Sequence, residues 1–263
     1  MRFLYLLQGK AENVRKYRFL NGVDSELIGL SYDKPEPGFE FFPNSSFATG
    51  RNYLLEQAMP RIEQFDYFVF LDDDVVFRRG SFDLMQANLR QFKPAIGVPL
   101  TEKTRLTAWG VEYAGEVNPI VRRQRFHYND EQYMALSCEV IRDAKLTPYL
   151  TDWDSQSWFV CCLIQEALIQ HYYYGRAWQF NNCEVLNDQH SNTYPHNLDF
   201  ARIEYLQWMR KTFPSGTKRP ALYQTTWQLS GGFLATIRSL GRVLAAGIRS
   251  SNLYRRFRGI PPW

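Results

Sequence analysis

The chain has 263 residues, 45% of them hydrophobic and 16% aromatic, which suffices for one large α/β domain or two small ones and makes disorder the wrong default. Its net charge of +4 conceals an asymmetry: residues 1–204 carry 21 basic and 27 acidic groups, whereas residues 205–263 carry ten basic groups and no acidic ones. The four cysteines have no CxxC spacing, and no apolar run is long enough for a signal-peptide core or a membrane span, so a disulfide framework, a zinc site and a membrane anchor are all disfavoured.

In chain order, residues 3–7 read as a buried strand and residues 26–31 as a second. A helix over about 47–63 and a strand over 66–72 follow. Alternation of this kind predicts a mainly parallel sheet with functional groups at the C-terminal ends of its strands. Ser81 is placed to cap a helix carrying Phe82, Met85, Leu89 and Phe92 at helical spacing, and "AIGVPL" reads as another strand. Residues 101–134 read as short strands and loops. A long buried helix is expected between a cap near Ser155 and a close at Gly175, and a late surface helix over "LDFARIEYLQWMRKTF". The segment "KTFPSGTKRP" reads as a linker, placing a domain boundary near Phe213.

The stretch "YFVFLDDDVVF", residues 67–77, runs five apolar or aromatic residues into Asp72, Asp73 and Asp74, and no base lies nearer along the chain than Arg78. Like charges this close repel unless something positive offsets them. Alternate residues at a strand end can converge on one divalent ion, which makes Asp72 and Asp74 the pair that shares a face. A cation bridging a diphosphate there would act as a Lewis acid on the leaving group. The simpler reading is a set of solvated turn residues.

The stretch "NSSFATGRNYLLEQAMPRIEQFDYFVFLDDDVVF" resembles the donor-binding half of GT-A-fold glycosyltransferases, with Gly50, Arg51 and Asn52 followed by Asp72 and Asp74. The resemblance implies a GT-A-type, Rossmann-like fold with a mixed, mainly parallel sheet flanked by helices and, beyond it, a C-terminal helical tail. It implies that Asp72 takes the ribose and metal side, that Asp74 ligates Mn²⁺ or Mg²⁺, and that Asp73 faces the sugar or supports the turn. Gln8 or Asp33, in the turns after the first two strands, would lie near the nucleotide base. It also implies a catalytic base before a helix in the second half, where "YLTDWDSQSWF" offers Asp154 first and Asp152 second, with a helix cap as the alternative role. A third metal ligand is expected from a late loop, with His190 ahead of Asp188 and His196.

Arg122, Arg123 and Arg125 suit phosphate, though a solvated loop explains them as well. Trp109, Trp153 and Trp158 read as a sugar-stacking face or as core. The stretch "FVFLDDDVV" also fits a haloacid-dehalogenase-like phosphatase with Asp72 as nucleophile and Asp74 as general acid. That motif normally opens its fold, and here some seventy residues precede it. A non-catalytic nucleotide-sugar-binding scaffold is the third alternative.

Phe233, Ile237, Leu240, Leu244 and Ile248 fall on one helical face, and Arg238, Arg242 and Arg249 on the opposite one. This pattern suits a helix lying in a membrane interface. The expectation is therefore a catalytic domain over 1–213 and a basic amphipathic tail over 214–263. The protein would be cytoplasmic and peripheral on the inner membrane face through residues 231–258. Its substrates would be a nucleotide-sugar donor and a glycan or lipid-linked acceptor, with no nucleic-acid partner.

Overall fold

The computed structural model describes residues 1–101, 121–123 (backbone), 131–173, 176–187 and 194–213. Among these, nine strands form one mixed sheet with the path β3-β2-β1-β4-β8-β6-β9-β5 and with β7 paired to β9. The first four on that path, β3 (Glu40–Phe41), β2 (Ser25–Ser31), β1 (Phe3–Gly9) and β4 (Tyr67–Asp72), run parallel. β8 (Tyr133–Ser137) is antiparallel to both β4 and β6 (Ile96–Thr101), and β9 (Ala177–Asn187) is parallel to β6. β5 (Val75–Arg79) and β7 (Val121–Arg123) both run against β9.

Both faces of the sheet are covered, which explains why β1 and β4 are apolar throughout. On one face Leu4, Leu6, Phe68 and Phe70 pack with Phe47, Ala48, Leu54 and Leu55 of α2 (Phe47–Ala58) and with Cys161 and Ile169 of α5 (Phe159–Tyr172). On the other, Phe3, Tyr5, Leu7, Val69 and Leu71 pack with Val14 of α1 (Ala11–Val14), with Tyr17 and Leu20, and with Met85 and Leu89 of α3 (Phe82–Phe92). Phe68 and Phe70 are fully buried, which at area-based values contributes roughly 2 to 3 kcal/mol each.

The helices start and stop for local reasons. Ser46 caps α2 by accepting from Thr49 N–H, and Thr49 Oγ1 in turn accepts from Ser46 N–H. α2 ends at Ala58, and the expected run to 63 instead continues as a 3₁₀ stretch, Met59–Gln64, around Pro60. Ser81 caps α3 as the sequence indicates, and Lys93 closes it with a left-handed φ of 46°. The remaining helix on the β8 side is α4 (Cys138–Asp143).

One further expectation is corrected. The buried helix does not begin near Ser155: α5 starts at Phe159, without a side-chain cap, after turns over 152–156. α6 (Leu198–Thr212), capped by Asn197, buries Ala201, Tyr205, Leu206 and Met209 against α5, and Phe213 closes that cluster. The tail beyond Phe213 lies outside the described residues. No helix among the described residues is long and apolar enough to cross a membrane.

Candidate active site

The strand pleat separates the three aspartates. Alternate residues of β4 point to opposite faces, so Asp72 continues the face of Phe68 and Phe70 while Asp73 leaves toward that of Val69 and Leu71. Asp72 accordingly meets α2, where Arg51 Nη2 donates to its Oδ1 at 2.9 Å. Asp73 meets the other side, where its Oδ2 accepts from Lys10 N–H at 2.7 Å and from Asn13 Nδ2 at 3.0 Å. Burial raises the Asp73 carboxyl above the ordinary carboxylate range, and these two donors pull it back. Asp73 and Asp74 form the turn into β5, a strand absent from the sequence reading.

The positive charge missing from the local sequence comes from Arg51, 21 residues before Asp72. Its side chain is 2% exposed, lies over Phe47 at 4.1 Å and packs beside Tyr149 and Phe70. It also binds Glu131 Oε2 at 3.1 Å, Glu131 O at 2.8 Å and Tyr149 OH at 3.3 Å. Asn52 is equally committed: its amide makes a two-way bond with the Tyr149 backbone, 2.8 Å to O and 2.7 Å from N–H. Arg51 and Asn52 therefore fix α2 against β4 and the Tyr149 segment.

Gln8, the penultimate residue of β1, faces α2 and stands beside Asp72 in register. Its Nε2 donates to Ser46 O at 2.9 Å and to Tyr194 OH at 2.8 Å, and its buried Oε1 has no hydrogen-bond partner among the described residues. Gly50 is a glycine here because a Cβ would stand 2.3 Å from Gln8 Nε2. Tyr194 pairs edge-on with Tyr32 at 6.1 Å. Burial, helped by nearby Tyr32, Asp72 and Asp73, raises its phenol, which stays protonated at neutral pH.

Asp154 joins this group from 108 residues away: its Oδ2 accepts from Ser46 Oγ. Through Ser46, the N-cap of α2, it sits at the N-terminus of that helix rather than that of its own. It is 8% exposed. Burial raises its carboxyl, Ser46 and the polar backbone at the start of α2 pull it back, and Asp152 pushes it up again. Asp152 itself is exposed.

Gln8, Arg51, Asn52, Asp72 and Asp154 are thus linked through α2, while Asp33 stands apart and caps α1 by accepting from Ala11 N–H at 2.8 Å. His190, Asp188, Trp109 and Arg125 lie outside the described residues, as do the side chains of Arg122 and Arg123. Trp153 donates to Glu204 at 3.1 Å, and Trp158 packs between Phe47 and His196. Among the described residues, no group of three or more His, Cys, Asp or Glu is arranged to hold a metal. Ser46, Glu131, Tyr149 and Tyr194 had no local signal in the sequence, apart from a Ser-x-x-Thr spacing that fits the Ser46 cap. A cavity of about 490 Å³ lined by Glu63, Asp66, Lys93, Glu139, Arg142 and Arg176 lies at the opposite end of the strands from the aspartates.

No protein-family model matches the sequence, and no curated protein matches it. Among solved structures, the chain is similar to residues 1–349 of S. aureus TarS, with a TM-score of 0.51, 10% identity, and coverage of 94% of this chain and 81% of that one. The TarS complex with UDP-GlcNAc superposes at 0.47, with the same identity and coverage. A glycosyltransferase involved in glycosylation of the major capsid of PBCV-1 superposes at 0.38, with 11% identity, 69% of this chain and 82% of that one. The fold is GT-A-like: a mixed, mostly parallel sheet flanked by helices, as the sequence led us to expect.

Proposed function

We propose that this chain transfers a sugar from a nucleotide-diphosphate donor to a hydroxyl acceptor. The observation that carries the reading is the Arg51–Asp72 pair at the C-terminal end of β4 in a GT-A-like sheet, where such folds gather their functional groups. In this reading the nucleotide lies across the ends of β1 and β4. Gln8 Oε1, buried without a partner among the described residues, offers it an acceptor. Tyr194 OH, already bound by Gln8, holds a proton that it can donate to an anionic group. Arg51 works from behind, fixing the carboxylate of Asp72 rather than touching the donor.

Asp72, with its side chain 31% exposed, and Asp74, also half-buried, supply hard carboxylate oxygens suited to Mn²⁺ or Mg²⁺, with His190 proposed as a third ligand. Bound there, the cation would neutralise charge developing on the leaving diphosphate. In an inverting transfer the acceptor oxygen forms its bond to the anomeric carbon, the bond to the diphosphate breaks, and a carboxylate takes the acceptor proton. Exposed Asp152 is the better placed for that proton, because Asp154 is committed to the N-terminus of α2. The phosphatase alternative needs a second acidic strand downstream, and residues 152–156 form turns instead.

The reading is tested by thermal shift with a nucleotide-sugar panel headed by UDP and UDP-GlcNAc, with and without Mn²⁺. At least one donor is expected to stabilise the wild type in a Mn²⁺-dependent way that Asp74→Ala abolishes. A metal-dependent nucleotide effect that Asp74→Ala leaves intact, or none with any donor, counts against it.

A further inference from the structure

Glu131, which the sequence reading leaves without a role, takes the larger share of Arg51. Arg51 Nη1 goes to Glu131 Oε2 and Tyr149 OH, while Nη2 is divided between the Glu131 backbone O at 2.8 Å and Asp72 Oδ1 at 2.9 Å. The Arg51 and Glu131 side chains are each 2% exposed. Gln132 adds a second tie, its O accepting from Asp72 N–H at 3.0 Å. The turn that leads into β8 therefore grips both the arginine and the backbone of the aspartate it holds.

A guanidinium facing a single carboxylate tends to close on it with two parallel hydrogen bonds. Here Glu131 occupies one arm of the fork and part of the other. We infer that Glu131 is a positioning residue: it holds Arg51 in a shared geometry that orients Asp72 without closing over it, leaving Asp72 able to serve a divalent cation. The inference rests on the metal-dependent transferase reading.

The test is Mn²⁺ binding by electron paramagnetic resonance on the full-length chain, alone and with UDP, for wild type, Glu131→Met, Arg51→Gln and the double variant. Thermal unfolding checks that each variant is folded. Glu131→Met is expected to weaken Mn²⁺ about tenfold when Arg51 is present and less than about twofold in the Arg51→Gln background, as residues acting through a shared partner do. Equal losses in both backgrounds would make Glu131 a distant charge, and no loss in either would make it merely structural. Either result overturns the inference while leaving the transferase reading intact. Should Glu131→Met not fold, Glu131→Gln is read in the same cycle, with about a threefold loss expected with Arg51 and none without it. A wild type that binds no Mn²⁺ under either condition removes the metal reading, and this inference with it.

Discussion

Arg51 Nη2 and Asp72 Oδ1, 21 residues apart in sequence, meet at 2.9 Å where α2 crosses the end of β4. The contact solves the electrostatic problem posed by three consecutive carboxylates, since a buried cation offsets one and the pleat sends the next to the other face. It also sets a stability cost. Arg51→Met leaves Glu131 charged in a site 2% exposed, and losing one partner of a buried ion pair costs about 3 to 5 kcal/mol. Chemical denaturation is expected to show a loss of that order, and a change below about 1 kcal/mol would argue that the pair does not form.

Asp73 and Asp72 separate by experiment because they face different neighbours. Asp73→Ala strips Lys10 N–H and the Asn13 amide of a common acceptor and is expected to cost about 1 to 3 kcal/mol in unfolding free energy. It should leave the Mn²⁺-dependent thermal shift largely in place, whereas Asp72→Ala should remove it. Equal effects on that shift would mean Asp73 touches the donor.

Gly50 offers a test of sign. Replacing a glycine inside a helix with alanine ordinarily stabilises it by about 1 kcal/mol. Here the new Cβ stands 2.3 to 2.5 Å from the Gln8 amide, which Ser46 and Tyr194 tie down, so Gly50→Ala is expected to destabilise by about 1 to 3 kcal/mol. Thermal unfolding decides, and a stabilised variant contradicts the placement of Gln8.

Asp154 carries a pH signature. Burial lifts its folded-state value above the ordinary 3.8, so the folded chain holds this proton more tightly than the unfolded chain. The stability it contributes is therefore greatest below that ordinary value and falls as pH rises through the raised one. Asp154→Asn can still accept from Ser46 Oγ but cannot ionise. The wild-type stability minus that of the variant, from denaturant unfolding between about pH 4 and 7, is expected to decline with pH. A flat or rising difference would contradict a buried, charged Asp154.

What the sequence disclosed followed from local pattern. Five apolar residues running into Asp72 marked β4, and the Ser81 cap with its spaced hydrophobes marked α3. β5 escaped because "VVFRR" is short and half-exposed, and its pairing with β9 is more than a hundred residues distant in sequence. Arg51 and Asp72 were both legible as site residues, but not as partners, because their contact depends on α2 packing across parallel β1 and β4. Asp154 was read against the nearest helix along the chain, whereas the donor it binds, Ser46, is the N-cap of α2. Glu131 and Tyr194 lacked any local pattern, since each acquires its role only from neighbours brought in by the sheet.

Sugar transfer from a nucleotide donor at Asp72 and Asp74 is read most simply as release of nucleoside diphosphate from a panel of nucleotide sugars in the presence of Mn²⁺, comparing wild type with Asp72→Asn. Slow, metal-dependent release from at least one donor, lost in the variant, is expected. Release that is the same in both proteins, or absent for every donor, would contradict it.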